Sequence, residues 1–135
     1  AGALYPPKRF FGAARALEEG GSLTVMATAA VETGWHLDEM ILESLQGTAN
    51  SVVRLDRRAA DRRVYPAIDV VASCTRELHR LKGDDRALAG QALADALVAI
   101  EDREPGSAID WVLEQINVTS SNQQILAQLA VSGDG

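Results

Sequence analysis

Residues 22–31 read SLTVMATAAV, a run with no charged side chain, preceded by Gly20–Gly21 and followed by Glu32-Thr33-Gly34. So short and so evenly apolar a run, with Val25 and Val31 in it, has the signature of a strand buried on both faces, as in a parallel sheet. A helix is the alternative, but the flanking glycines favour a strand. Such a strand cannot stand alone. It obliges the chain to find neighbours on its edges and cover on its faces.

The rest of the chain supplies part of that cover. KRFFGAARALEEGG (residues 8–21) reads as a short helix, with Phe10, Ala13, Ala14 and Leu17 at helical spacing and the glycine pair as its stop. HLDEMILESL is amphipathic, with Leu37, Met40, Ile41 and Leu45 on one side. QGTAN is a small polar loop, SVVRL a second strand, DRRAADRR a charged turn or helical turn, and VYPAIDVV a third strand. Pro66 places that third strand at an edge, an end or a bulge.

Beyond it the pattern is helical. Leu88, Ala92, Leu93, Ala96, Leu97 and Ile100 form a stripe that Pro105–Gly106 ends. Ser107 is placed to cap a helix carrying Ile109, Leu113 and Ile116, and Ser120 with Gln123 offers a capping box for a last helix ending near Leu129. VSGDG reads as a frayed tail. The expected class is α/β: residues 1–83 hold a sheet of three or four strands flanked by helices, and residues 84–135 form a helical appendage. Three visible strands are few for a sheet covered on both faces, so either neighbours complete it or it is incomplete.

Composition narrows the function classes. The chain has 135 residues, is 47% apolar and carries a net charge of -6. Residues 1–83 hold 11 basic and 10 acidic groups, whereas residues 84–135 hold 2 basic and 9 acidic. The acidic last third repels nucleic acid, so any phosphate contact belongs to the first two-thirds. A single cysteine, Cys74, excludes an internal disulfide and suits a reducing, cytoplasmic setting. The start has no secretory-signal pattern, and no run is long enough for a membrane helix. His36 and His79 lie far apart, so no metal site is expected from ligand spacing. No Ser/His/Asp, Cys/His or paired-carboxylate spacing marks an independent catalytic centre.

PKRFFGAAR, EEGGSLTVMATA, ETG, GTAN, LDRR, RRVYPAID and SCTR occur in that order. Together they resemble the C-terminal part of the motor domain in the transcription termination factor Rho family, hexameric ATP-dependent RNA–DNA helicases of RecA type. The likeness is dense over residues 1 to about 80 and looser, with the same helical plan, to 130. It implies a partial RecA-like sheet with a C-terminal helical subdomain. The family's phosphate-binding loop has no counterpart, because G-x-x-x-x-G-K-[ST] occurs nowhere in this sequence. The resemblance therefore implies ATP and Mg²⁺ for the complete family protein, no good binding of either to this chain alone, and no ATP hydrolysis by it alone.

The resemblance also assigns roles. Arg76 in SCTR matches the arginine that reaches in trans into a neighbouring subunit's ATP site, where an always-ionised fork offsets charge on the transferring phosphoryl group. Tyr65 matches an aromatic that packs on adenine, with Pro66 fixing the backbone that presents it. Arg63 and Arg57 match arginines near the nucleotide. Gln46, Gly47 and Thr48 match the loop lining the RNA channel; Gln46 stands where the family has lysine, Ala49 and Cys74 where it has glycine. Lys8, with Arg9, adjoins a second RNA-contact loop, and His36 lies where the family often carries a basic residue. By residue type alone, Arg76 is a surface arginine after a strand, Tyr65 a half-buried strand tyrosine, Arg57 and Arg63 a solvated turn screened by Asp56 and Asp61, and QGTAN a tight turn. The implied partners are RNA and neighbouring Rho-type subunits, with a homo-oligomer and no membrane. The alternative is a catalytically inactive binding or regulatory module that associates with itself or with complete Rho.

Overall fold

The computed structural model describes residues 4–132, in two compact units, one ending at Asn50 and the other beginning at Ser51. The first opens with α1 (Tyr5–Phe11), which has prolines in its first turn, where a missing N–H is harmless, and stops at Gly12. The helix expected over residues 8–21 is therefore corrected. Beyond Gly12 the chain makes β1 (Arg15–Ala16), which pairs antiparallel with β2 (Ser22–Leu23) in the register Arg15↔Leu23 and Ala16↔Ser22. The turn between them closes through Leu17 N–H donating to the Gly21 carbonyl at 3.0 Å, and both glycines adopt positive φ. The glycine pair thus reverses a hairpin rather than ending a helix.

The strand expected over residues 22–31 is cut to its first two positions. Residues 24–31 carry no regular structure and are mostly exposed, Met26 by 93%. The reason is the demand set out above: a run that is apolar on both faces needs partners on both, and the described residues supply none. α2 (His36–Gln46) matches its expected span, with Asp38 and Glu39 favourably placed at its positive end. Ahead of it the Thr33 hydroxyl donates to Asp38 at 2.7 Å and accepts from Trp35 N–H.

The second unit is a two-stranded sheet carrying the C-terminal helices. β3 (Ser51–Leu55) and β4 (Ile68–Thr75) run antiparallel, pairing Ser51↔Thr75, Val52↔Cys74, Arg54↔Asp69 and Leu55↔Ile68. The parallel arrangement suggested by apolar patterning is not adopted, while the mixed α/β class with a helical C-terminal end stands. Between the strands lies the short α3 (Arg57–Asp61), capped by Asp56, which accepts from Arg58 N–H at 2.8 Å. Then come α4 (Leu78–Lys82), α5 (Asp84–Arg103), α6 (Ser107–Val118) and α7 (Asn122–Ser132). Both α5 and α6 pack on β4, and α5 is the hub touching α4, α6 and α7.

Two helix ends differ from expectation in detail. The Ser107 hydroxyl donates backwards, to the Glu104 carbonyl at 2.6 Å and the Ile100 carbonyl at 3.2 Å, and so closes the end of α5. The N-terminus of α6 is held instead by the Glu101 carboxylate, which accepts from Gly106 N–H at 2.7 Å and from Ala108 N–H at 3.3 Å. At α7 the capping box sits one residue later: Ser121 accepts from Gln124 N–H at 3.4 Å, and the Gln124 side chain accepts from Ser120 N–H at 3.0 Å. The core is small. Ala59, Leu97, Ala108 and Ile109 are its buried apolar residues among those described.

Candidate nucleotide and nucleic-acid contact residues

The charged turn at α3 sorts its four arginines by position. Arg58 and Arg62 stand four apart, hence on one helical face. That face turns toward the α5–α6 corner. Arg62 donates to Asp110 at 2.9 and 3.4 Å and to the Gly106 carbonyl at 2.9 Å, while Arg58 lies 3.5 Å from Asp56 and 4.0 Å from Glu101. Gly106 makes room for this fork: its φ is +90°, and an added Cβ would stand 3.3 Å from the Arg62 guanidinium. Arg57 and Arg63, the two singled out from sequence, are exposed, and neither side chain makes a hydrogen bond or ion pair among the described residues. Arg63 itself has φ of +61°, a corner that ordinary residues seldom take.

Tyr65 follows that corner and is 67% exposed, so the half-buried core tyrosine is not what forms. Its peptide bond to Pro66 is cis, and β4 begins two residues later, so the proline falls at a strand end. Within β4 the ladder is interrupted by a bulge between Asp69 and Cys74, opposite Val52–Arg54. Side chains replace the missing ladder bonds. Asp69 accepts from Val71 N–H at 3.1 Å and Ala72 N–H at 2.8 Å, and the Ser73 hydroxyl donates to the Asp69 carbonyl at 2.6 Å while accepting from Arg54 N–H at 3.0 Å. Bulges of this kind re-aim a strand end.

The re-aimed end carries Arg76, exposed in the two-residue turn before α4. Cys74, where the family pattern has glycine, needs no unusual backbone here, being a strand residue paired with Val52. The left-handed residue of the turn is Glu77, at φ of +51°, and its carboxylate lies 3.3 Å from Arg80 and 3.4 Å from His79. Beside this turn opens a cleft of about 640 Å³ lined by Ser51, Cys74, Thr75, Glu77, His79 and Gln91 among others.

The remaining candidates belong to the first unit. Gln46 ends α2, and Gly47 and Thr48 form the turn after it, closed by Thr48 N–H donating to the Leu45 carbonyl at 2.9 Å. α1 packs on α2, and a methyl group placed on Gly12 would stand 3.8 Å from the Thr48 methyl. Lys8, exposed one turn before Gly12, lines a cleft with Met40, Glu43 and Ser44 of α2. The exposed His36 ring lies 3.5 Å from Glu39. Sequence reasoning missed Arg62, Glu101, Asp69 and Ser73, which hold the candidates in place; a charged residue inside an apolar strand, as Asp69 is, was the available signal. Among the described residues no group of three His, Cys, Asp or Glu could hold a metal ion, and no helix is long and apolar enough to cross a membrane.

No protein-family model matches the chain. Curated relatives do. Transcription termination factor Rho of Streptomyces lividans is 47% identical over 127 residues, 94% of this chain. The same factor of Streptomyces coelicolor is 46% identical over 129 residues, and that of Mycobacterium bovis 44% identical over 133, covering 96% and 98% of this chain. The chain belongs to the Rho family. It spans a limited part of those relatives, 18% of the length of the first, 30% of the second and 22% of the third. Within this Rho segment the Gln46–Thr48 turn and Lys8 lie in the unit ending at Asn50, and Arg57, Arg63, Tyr65 and Arg76 in the unit beginning at Ser51.

Proposed function

We propose that this chain serves as part of a Rho-type, ATP-driven RNA motor, in which its second unit forms one wall of a nucleotide cleft and its first unit lines an RNA path. Tyr65 stacks on adenine. Arg57 and Arg63 face the nucleotide's anionic part, and Arg76 offsets charge developing on the phosphoryl group held by a neighbouring subunit. ATP and its Mg²⁺ are held chiefly by parts of a Rho motor other than this segment. In the first unit, Gln46, Gly47 and Thr48 contact RNA by hydrogen bonding and close backbone approach, and Lys8 contributes charge. With glutamine at 46, the salt slope of RNA binding falls by about one unit relative to a lysine-bearing relative.

The observation that carries this reading is the division among the α3 arginines. Arg58 and Arg62 are spent on internal contacts, while Arg57 and Arg63 are left exposed and unpaired in the same connection between β3 and β4 that carries the exposed Tyr65. Uncommitted guanidinium groups and a bare tyrosine on one connection are the groups that a purine nucleotide requires.

The test is a graft. This segment replaces its counterpart in the S. lividans factor, and RNA-dependent ATP hydrolysis is measured. Arg76→Ala is expected to lower kcat by about 10³-fold or more. Tyr65→Ala is expected to weaken ATP binding by about ten-fold, on the scale of one base–aromatic stack, with a smaller effect on kcat. A graft whose hydrolysis is indifferent to both changes would overturn the assignment. A second reading, an inactive module that associates with itself or with complete Rho, is favoured by the amount of apolar surface left open. It predicts a dead graft together with co-purification of the chain with full-length Rho.

A further inference from the structure

The position of Arg63 is set by the way α3 ends. Arg63 N–H donates to the Ala60 carbonyl at 2.9 Å, and Val64 N–H to the Ala59 carbonyl at 2.9 Å. With Arg63 at φ of +61°, these are the paired bonds of a Schellman ending. Glycine is the usual residue at its left-handed position, and here an arginine holds it. Arg63 therefore goes wherever the last turn of α3 goes. At the base of the connection, Asp56 N–H donates to the Ala67 carbonyl at 2.9 Å, so Tyr65 stands in a short bridge between two fixed points.

The last turn of α3 is fixed in turn by the corner between α5 and α6. Ala59, the buried residue of α3, is 1% exposed. Arg58 approaches Glu101 only loosely, at 4.0 Å. The close polar ties belong to Arg62, the residue before the left-handed position. Its guanidinium donates to Asp110 at 2.9 and 3.4 Å and to the Gly106 carbonyl at 2.9 Å. The corner is itself braced, because the Glu101 carboxylate takes the Gly106 and Ala108 N–H groups. Adjacent arginines thus differ in use: Arg62 grips the helical corner, while Arg63 is exposed and makes no side-chain hydrogen bond or ion pair among the described residues. All of these residues belong to the unit beginning at Ser51.

We propose that Arg62 is a positioning residue for nucleotide binding. Anchored on Asp110 and Gly106, it sets where Arg63 and Tyr65 stand, and so makes the α5–α6 corner a determinant of ATP affinity. This rests on the nucleotide reading above and adds to it residues that touch no nucleotide. Without the anchor, the binding arrangement becomes one of several that the connection samples, and affinity falls with the fraction of time spent in it.

The test uses the same graft in the S. lividans factor. Arg62→Ala is expected to raise KM for ATP about five-fold and to leave kcat within about two-fold of the parent, the split that follows when only ordering before binding is lost. Asp110→Ala is expected to raise KM about three-fold, less because the Gly106 carbonyl remains, and the double variant to match Arg62→Ala alone. Gln124→Ala removes the acceptor that caps α7 at Ser120. It controls for general loss of stability and is expected to leave KM unchanged. The ungrafted chain supplies a separate readout: hydrogen exchange at the Arg63 and Val64 amides is expected to quicken in Arg62→Ala, while the Arg54 amide, bonded to Ser73, keeps its rate. If Tyr65→Ala raises KM and Arg62→Ala does not, this proposal falls alone. If neither does, the nucleotide reading falls and this one with it. Effects that multiply in the double variant, a Gln124→Ala that raises KM equally, or unaltered exchange at Arg63 and Val64 would each overturn the role given to Arg62.

Discussion

Arg57 and Arg62 are the same residue type five positions apart, yet the structure uses them oppositely. Arg62 reaches across to Asp110 and the Gly106 carbonyl and fastens α3 to the corner between α5 and α6. Both members of that pair are about half exposed, so solvent discounts the ion pair, and the expected cost of Arg62→Ala is about 1 kcal/mol. Arg62→Lys recovers little of it, because a point charge cannot hold a carboxylate and a carbonyl together. Arg57→Ala is expected within about 0.5 kcal/mol of the parent. Urea denaturation of the three variants measures the contrast, and equal midpoints would refute it. Nothing in DRRAADRR announces which arginines turn inward. Spacing shows that 58 and 62 share a face, but the facing corner comes from residues more than forty positions later.

Among the elements, those set by local pattern were legible. The α2 stripe, the five residues of β3 and the stop at Pro105–Gly106 fall where sequence periodicity puts them. What failed depended on partners elsewhere. Residues 24–31 have strand composition but no strand to pair with, and a single turn of helix after Gly12 lost to the hairpin that two positive-φ glycines permit. Caps moved by a residue because several hydroxyls and carboxylates compete for the same amides. The β4 bulge was invisible for the same reason: only the register shows that Asp69 and Ser73 substitute for the ladder. Asp69→Ala leaves the Val71 and Ala72 amides without their acceptor in a partly exposed strand. The expected loss is about 1 kcal/mol by urea denaturation, with faster exchange at those two amides, whereas Asp69→Asn keeps an acceptor oxygen and most of the stability. Unchanged exchange at both amides in Asp69→Ala would remove the role assigned to that carboxylate.

At the scale of the whole molecule, a buried core that comprises two alanines, one leucine and one isoleucine among the described residues leaves unusually little apolar area to expose on unfolding. The heat-capacity change on unfolding of the chain is therefore expected below the usual value of about 12–15 cal/mol/K per residue, measured by calorimetry. A value within that range would mean that the apolar side chains seen at the surface are covered in solution. The scarcity of core accords with a segment spanning under a third of the length of the Rho factors of S. lividans, M. bovis and S. coelicolor.

β4 is flanked by left-handed corners at Arg63 and Glu77, both carrying full side chains. Each such corner costs on the order of 1 kcal/mol, which glycine would largely spare. Glycine at 77 would relieve that cost and, having no Cβ, would also widen the conformations open to the turn between β4 and α4. Glutamate at 77 therefore narrows the turn's freedom at a cost in stability.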